Sequence, residues 1–237
     1  MCVELPPLQP NSSFCSTFTT TQCVVATEGL LMDVIWNSVH QERAALIRDL
    51  HRLSPDDWGV ESLCQGWRIR DVVAHLLDTA TTTPTSFLTG MARAGFNFDR
   101  QNEFGLERYR SKEPEELISL LEQVRNRTSG PPRFLAPLAT RLVEEIAHGE
   151  DIRRPLGLHR DYEPEDLKTV ITYQAATSTR FGGAREKLAG IRLAAEDIGW
   201  AHGDGLLVSG PALELLMLVC GRSPKSEDLT GPGLARF

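Results

Sequence analysis

Long apolar runs are missing from this 237-residue chain. The longest, Leu213 to Cys220, is interrupted by Glu214, whereas spanning a bilayer takes roughly 20 apolar residues. No membrane partner is expected. Positive charge is also short: 25 Lys and Arg stand against 32 Asp and Glu, a net charge of −7. The basic surface that non-specific nucleic-acid binding needs is therefore not there. The five cysteines are odd in number and no two have CxxC spacing, which excludes a plain disulfide framework and a zinc ribbon. A basic segment followed by an apolar one, the mark of a secretory signal, is not seen at the start, and the expected location is the cytoplasm. Gly203-Asp-Gly205 is not a phosphate loop, since it lacks both the spacing and the following lysine.

What is present suits a globular fold with a proper core: 41% of residues are hydrophobic. Residues 1–29 stand apart. They are rich in Pro, Ser and Thr, hold Cys2, Cys15 and Cys23, and carry almost no charge; little stable structure is expected there. From Met32 to about Leu53 apolar residues recur at helical spacing. A second helix is expected from Ile69 to Thr81, with Ile69, Val72, Val73, Leu76 and Leu77 as its stripe. A helical piece near Ser86–Ala94 and a polar segment, Phe96–Arg110, follow. A third main helix begins at Pro114, where proline fits the first turn, and a fourth runs from about Leu135 to Arg153 until Pro155 and Gly157 stop it. Four such helices with short connections predict an antiparallel bundle over residues 30–158. Beyond it, a helix from Glu163, short strands at Ile191–Ala195, Gly199–Ala201 and Leu206–Ser209, and a helix after Pro211 predict a small α+β domain over 159–237. Gly203-Asp-Gly205 reads as a hairpin turn between the last two strands. The fold class is thus α+β.

The chemistry centres on Glu144 and His148. Four residues apart on a helix, they lie on one face, and a carboxylate with an imidazole makes half of a divalent-metal site. His75, on the second helix, is the best candidate for a third ligand. Two nitrogens and one oxygen suit zinc or a similar ion, and three protein ligands leave positions open for water or a thiol. Glu145 competes with Glu144, because three residues before His148 is also a same-face spacing. Asp151 either orients the His148 imidazole or pairs with nearby arginines. Arg222, after the last helix, either binds an anion or answers the helix dipole. Cys64 and Cys220 have no basic partner nearby in sequence, so a catalytic thiol is not expected. His40 and His51 read as solvent or interface residues, His159 as a loop residue, and His202 as a turn residue or one that lines the domain interface.

The segments Trp58-(x)3-Ser-Leu-Cys-Gln-Gly-Trp67, Arg70-Asp-Val-Val-Ala-His75-Leu and Glu144-(x)3-His148-Gly-Glu-Asp-Ile-Arg-Arg-Pro-Leu156 resemble the mycothiol-dependent maleylpyruvate isomerase family, part of the DinB-like metal-binding four-helix superfamily. The similarity continues through Ala195-Glu-Asp-Ile-Gly-Trp200, Gly210-Pro-Ala, Gly221-Arg222 and Leu229-Thr-Gly-Pro-Gly-Leu234, and so covers about residues 32–237. The resemblance implies His75, Glu144 and His148 as zinc ligands, mycothiol as the thiol taken at the open position, and Arg222 as the residue that assists catalysis. It implies a small, anionic, electrophilic substrate and either cis–trans isomerisation or S-transfer. A zinc hydrolase and a non-catalytic metal or thiol sensor are the alternatives on the same scaffold. A monomer or a homodimer is expected.

Overall fold

The computed structural model describes residues 20–223 and 228–237. Ile35–Phe237 forms one compact unit. Helix α1 spans Thr20–Leu50 and so begins ahead of Met32; no glycine or proline stands between Thr20 and Gly29 to stop it. The expectation for residues 1–19, with Cys2 and Cys15, lies outside the described residues, as does the side chain of Cys23.

In this unit the helices follow the apolar periodicity. They are α2 (Ile69–Thr81), α3 (Pro84–Arg93), α4 (Phe98–Glu107), α5 (Pro114–Val124) and α6 (Ala139–Arg153). Thr83 caps α3, its hydroxyl accepting from the Ser86 amide at 3.2 Å, with Pro84 in the first turn. Helix α4 lies in the segment expected to be merely polar. It buries only Gly105 and Leu106, too little for a visible stripe. Asn97 caps it, accepting from the Arg100 amide at 2.9 Å, and Gly105 lets it approach α2 closely. A Cβ at Gly105 would sit 2.2 Å from Asp78 Oδ2.

The α+β part holds α7 (Pro164–Ala176), three strands and α8 (Ala212–Val219). The strands are β1 (Ile191–Ala195), β2 (Trp200–His202) and β3 (Leu206–Ser209), in the order β2-β1-β3. Strand β1 pairs antiparallel with β2, Leu193 opposite His202, and parallel with β3, Leu193 opposite Val208. Gly203-Asp-Gly205 is therefore no hairpin between neighbours. It carries the chain around the start of β1, from one side to the other. The two glycines make the passage possible: their φ angles are +76° and +124°, and a Cβ would lie 2.4 Å from the Ile191 carbonyl oxygen at Gly203 and 2.2 Å from that of Gly190 at Gly205. The turn that does join paired strands is Glu196–Gly199, and its Asp197 also caps α8, accepting from the Ala212 amide at 3.0 Å.

Two apolar cores meet along α1 and α6. One gathers Leu46, Ile47 and Leu50 of α1 with the α2 stripe, Leu117, Ile118 and Leu121 of α5, and Ile152 of α6: four helices, as the periodicity predicts. The other gathers Val39 of α1, Leu142 and Ile146 of α6, the inner face of α7, the sheet and α8. Each Leu or Ile fully buried here contributes about 1.5–3 kcal/mol over leaving it exposed. Helices α1 and α6 contribute residues to both cores. No helix among the described residues is long and apolar enough to cross a membrane.

A small staple closes the turn after α7. Glu186 Oε2 accepts from the Thr179 amide at 2.7 Å, and its Oε1 accepts from Arg185. These bonds, the amide first, draw the Glu186 carboxyl down to about 2. A depressed carboxyl adds stability above its unfolded value, about 4.3, and loses it as pH falls through the folded value. Glu186→Gln is therefore expected to lower the melting temperature at neutral pH. The gap to the parent should close between about pH 4.3 and about pH 2, read by thermal unfolding across pH.

Candidate metal centre

Three elements build the site. Helix α2 presents His75 on its buried face, α6 presents Glu144 and His148 one turn apart, and the loop before α2 presents Trp67. That loop is closed by an antiparallel bridge between Glu61 and Arg68, by Ser62 N–H donating to the Trp67 carbonyl at 2.9 Å, and by Gly66 at φ +80°. Closure sets the Trp67 ring against both imidazoles, with centroids 5.1 Å from His75 and 6.5 Å from His148.

The three expected ligands converge. His75 Nε2 lies 3.1 Å and His148 Nε2 3.4 Å from the same atom, Glu144 Oε2, and the two imidazole rings meet edge to face at 4.9 Å. The His75 side chain is 7% exposed, His148 15% and Glu144 29%, so the group opens to solvent on the carboxylate side. Burial would raise the Glu144 carboxyl, but the bonds to His148 and His75 hold it well below the usual range. Burial would likewise lower His148, yet its bonds to Asp151, Cys64 and Glu144 push it well above the ordinary histidine value. Glu145 turns away, onto Arg43 Nε at 2.7 Å. The neighbouring carboxylates, which same-face spacing does not separate, end on different partners: Glu144 on the two histidines and Glu145 on Arg43.

The donor set fits a divalent ion for a further reason. His148 Nδ1 lies 2.9 Å from Asp151 Oδ2. With a proton on Nδ1 directed at that carboxylate, Nε2 is the nitrogen that faces the Glu144 oxygen, and a proton there, or a cation in its place, makes the contact favourable.

A second cluster lies behind His148. Cys64 Sγ is 2.9 Å from Asp151 Oδ2 and 3.6 Å from His148 Nδ1. Arg222 Nε donates to Asp151 Oδ1 at 2.9 Å, and its Nη2 reaches both Asp151 Oδ2 and Cys64 Sγ. Cys64, His148 and Asp151 also form a group with metal-ligand spacing, but the Arg222 guanidinium already supplies its positive charge. A second cation about 4 Å from that guanidinium would meet a repulsion of about 4 kcal/mol per unit charge. The cluster is accordingly an ion-paired support, and the first group is the candidate metal site. Cys64, expected to have no basic partner, has two, brought from 84 and 158 residues away; such pairings leave no trace in local spacing. Asp151 takes Arg222 and His148, while Arg154 pairs instead with Glu150 and Glu214. Arg222 Nη1 also donates to the Cys220 carbonyl at 2.6 Å, so it answers the helix end as well. Burial pushes the Cys220 thiol up to about 12.

The remaining histidines lie apart from the site. His51 pairs with Glu122, His159 with Asp161, His40 stacks on Trp36 and His202 on Trp200.

Residues 39–137 match the family model of the mycothiol maleylpyruvate isomerase N-terminal domain. The matched span includes His75, Trp67 and Cys64 and ends just ahead of α6, so Glu144 and His148 belong to the next element of the fold. Similarity in structure extends further. The crystal structure of the mycothiol-dependent maleylpyruvate isomerase is similar with a TM-score of 0.60 at 18% identity, over 85% of this chain and 92% of that one. A histidine-to-alanine variant of that isomerase gives 0.61 at 17% identity, with the same coverage. No curated protein matches the chain. The fold of the mycothiol maleylpyruvate isomerase domain, with the α+β part after it, is thus shared over most of both chains.

Proposed function

We propose that the chain is a zinc- and mycothiol-dependent enzyme that adds the thiol to a small anionic electrophile, giving maleylpyruvate-type cis–trans isomerisation or S-transfer. The observation that carries this reading is the convergence of His75 Nε2 and His148 Nε2 on Glu144 Oε2 in a chain whose residues 39–137 match the family's N-terminal domain model. His75, Glu144 and His148 would hold the cation; two imidazoles and a carboxylate suit zinc. Bound there, zinc supplies Lewis acidity, which lowers the pKa of a coordinated thiol so that its sulfur is a thiolate near neutral pH.

The chain's own residues do the rest. Arg222, 18% exposed in its side chain, places a fixed positive charge beside the site, suited to a substrate carboxylate. Trp67 covers the imidazole rings and keeps water from that side, which strengthens electrostatic contacts within the site. The exposed edge of Glu144 marks where thiol and substrate enter.

Zinc-loaded protein is expected to convert maleylpyruvate, or to transfer the thiol to a related electrophile, only when mycothiol is present. Chelation should stop turnover and added zinc restore it. Turnover without any thiol would mean hydrolysis by metal-bound water instead. Tight zinc binding with no turnover on a panel of electrophiles would make the protein a sensor.

A further inference from the structure

We infer that Asp151 is a positioning residue, whose carboxylate sets the tautomer of His148 and the orientation of Arg222 from one buried point. The inference rests on the metal reading above.

Asp151 is fully buried. Its Oδ1 accepts from Arg222 Nε at 2.9 Å, and its Oδ2 faces His148 Nδ1 at 2.9 Å, Cys64 Sγ at 2.9 Å and Arg222 Nη2. An ionised carboxylate only accepts, with about four lone-pair positions, and four donors meet it here. Each partner must therefore donate, which places a His148 proton on Nδ1 and makes Nε2 the nitrogen that faces Glu144. The same residue's main-chain carbonyl accepts from the Leu63 amide at 3.2 Å. The loop that carries Cys64 and Trp67 is thus fastened to α6 at this position by backbone and side chain together. Three segments distant in sequence meet on Asp151: the Trp67 loop, the His148 turn of α6 and the segment after α8.

A plain structural ion pair between Asp151 and Arg222 would also tie the last segment to α6. It would be indifferent to the state of His148. The two roles part at Asp151→Asn. The amide has one accepting oxygen and one donating nitrogen, and the nitrogen meets an Arg222 donor in either orientation, Nε at the Oδ1 position or Nη2 at the Oδ2 position, where it also faces His148 Nδ1. Facing His148, it moves the imidazole proton to Nε2 and removes the lone pair from the metal side.

Two measurements test this. In zinc-loaded protein labelled with 15N in histidine, the His148 side chain is expected to show a protonated Nδ1 and a metal-bound Nε2. In Asp151→Asn, zinc affinity by chelator competition is expected to fall about 10–100-fold, with cooperative unfolding of the zinc-free variant showing that the fold persists. A parent protein that binds no zinc would overturn the metal reading, and this inference with it. A parent that binds zinc with its His148 proton on Nε2, or a folded Asp151→Asn with unchanged affinity, would overturn this inference alone. Should Asp151→Asn fail to fold, the parent's histidine spectrum decides by itself.

Discussion

Glu144→Gln is expected to lose zinc affinity by more than the roughly 10–100-fold that removing an outer partner of a ligand costs. The variant keeps the shape and the hydrogen-bonding oxygen of the side chain but not its charge. Glu144 is the one anion among the three converging groups, and both imidazole Nε2 atoms point at its Oε2. A neutral amide is a weak ligand for zinc, and the two remaining nitrogens cannot make up the difference. His148→Ala should do the same from the other side, since it also removes the nitrogen that Asp151 orients. The measurement is competition with a chelator of known affinity, alongside circular dichroism to show that the helices remain. Undiminished affinity in a folded Glu144→Gln would place the metal elsewhere, with Cys64, His148 and Asp151 the next group to examine.

The neighbouring position should respond in the opposite way. Glu145→Ala is expected to cost about 3–5 kcal/mol of stability and to leave the zinc ligands in place. The Glu145 carboxylate is 4% exposed and faces Arg43, which is 2% exposed. Burial pushes the Glu145 carboxyl up against the pull of Arg43 and Arg141, so the ion pair is held under strain of desolvation. Its removal nonetheless strands the Arg43 charge in the core, because a lone buried cation has no compensating anion. Arg43 Nη1 also donates to the Arg127 carbonyl at 2.9 Å, so its displacement loosens the end of the α5 connection as well. Replacing both partners, as Arg43→Met with Glu145→Leu, should recover most of the loss, since apolar residues of similar volume pay no desolvation. Urea or thermal unfolding of the single and double variants checks both parts. A single variant as stable as the parent would show the pair to be solvated in solution.

These two adjacent glutamates illustrate how far the sequence could be read. Helical periodicity placed α2, α5 and α6 and put His75, Glu144 and His148 on inward faces, because the α2 and α5 stripes and the i,i+4 pair are local patterns. Same-face spacing could not separate Glu144 from Glu145, since their difference lies in what stands opposite each: two histidines for one, Arg43 for the other. Helix α4 went unread because a helix that buries only Gly105 and Leu106 shows no periodic stripe. The Gly203-Asp-Gly205 turn was misread because a glycine pair signals positive φ without saying whether the strands it joins are paired; here β1 lies between them. The Cys64–Asp151–Arg222 cluster was invisible as a cluster, its members being 71 to 158 residues apart. Such groups are assembled by the packing of α6 against its neighbours, not by any spacing along the chain.

X-ray absorption at the zinc edge, on the zinc-loaded protein before and after addition of mycothiol, tests the central claim most directly. The expected first shell without thiol is nitrogen and oxygen only, from His75, Glu144, His148 and water. On addition of mycothiol, one sulfur should enter at about 2.3 Å. A shell that holds sulfur before any thiol is added would assign the metal to Cys64. A shell that stays free of sulfur afterwards would contradict activation of the thiol by the metal.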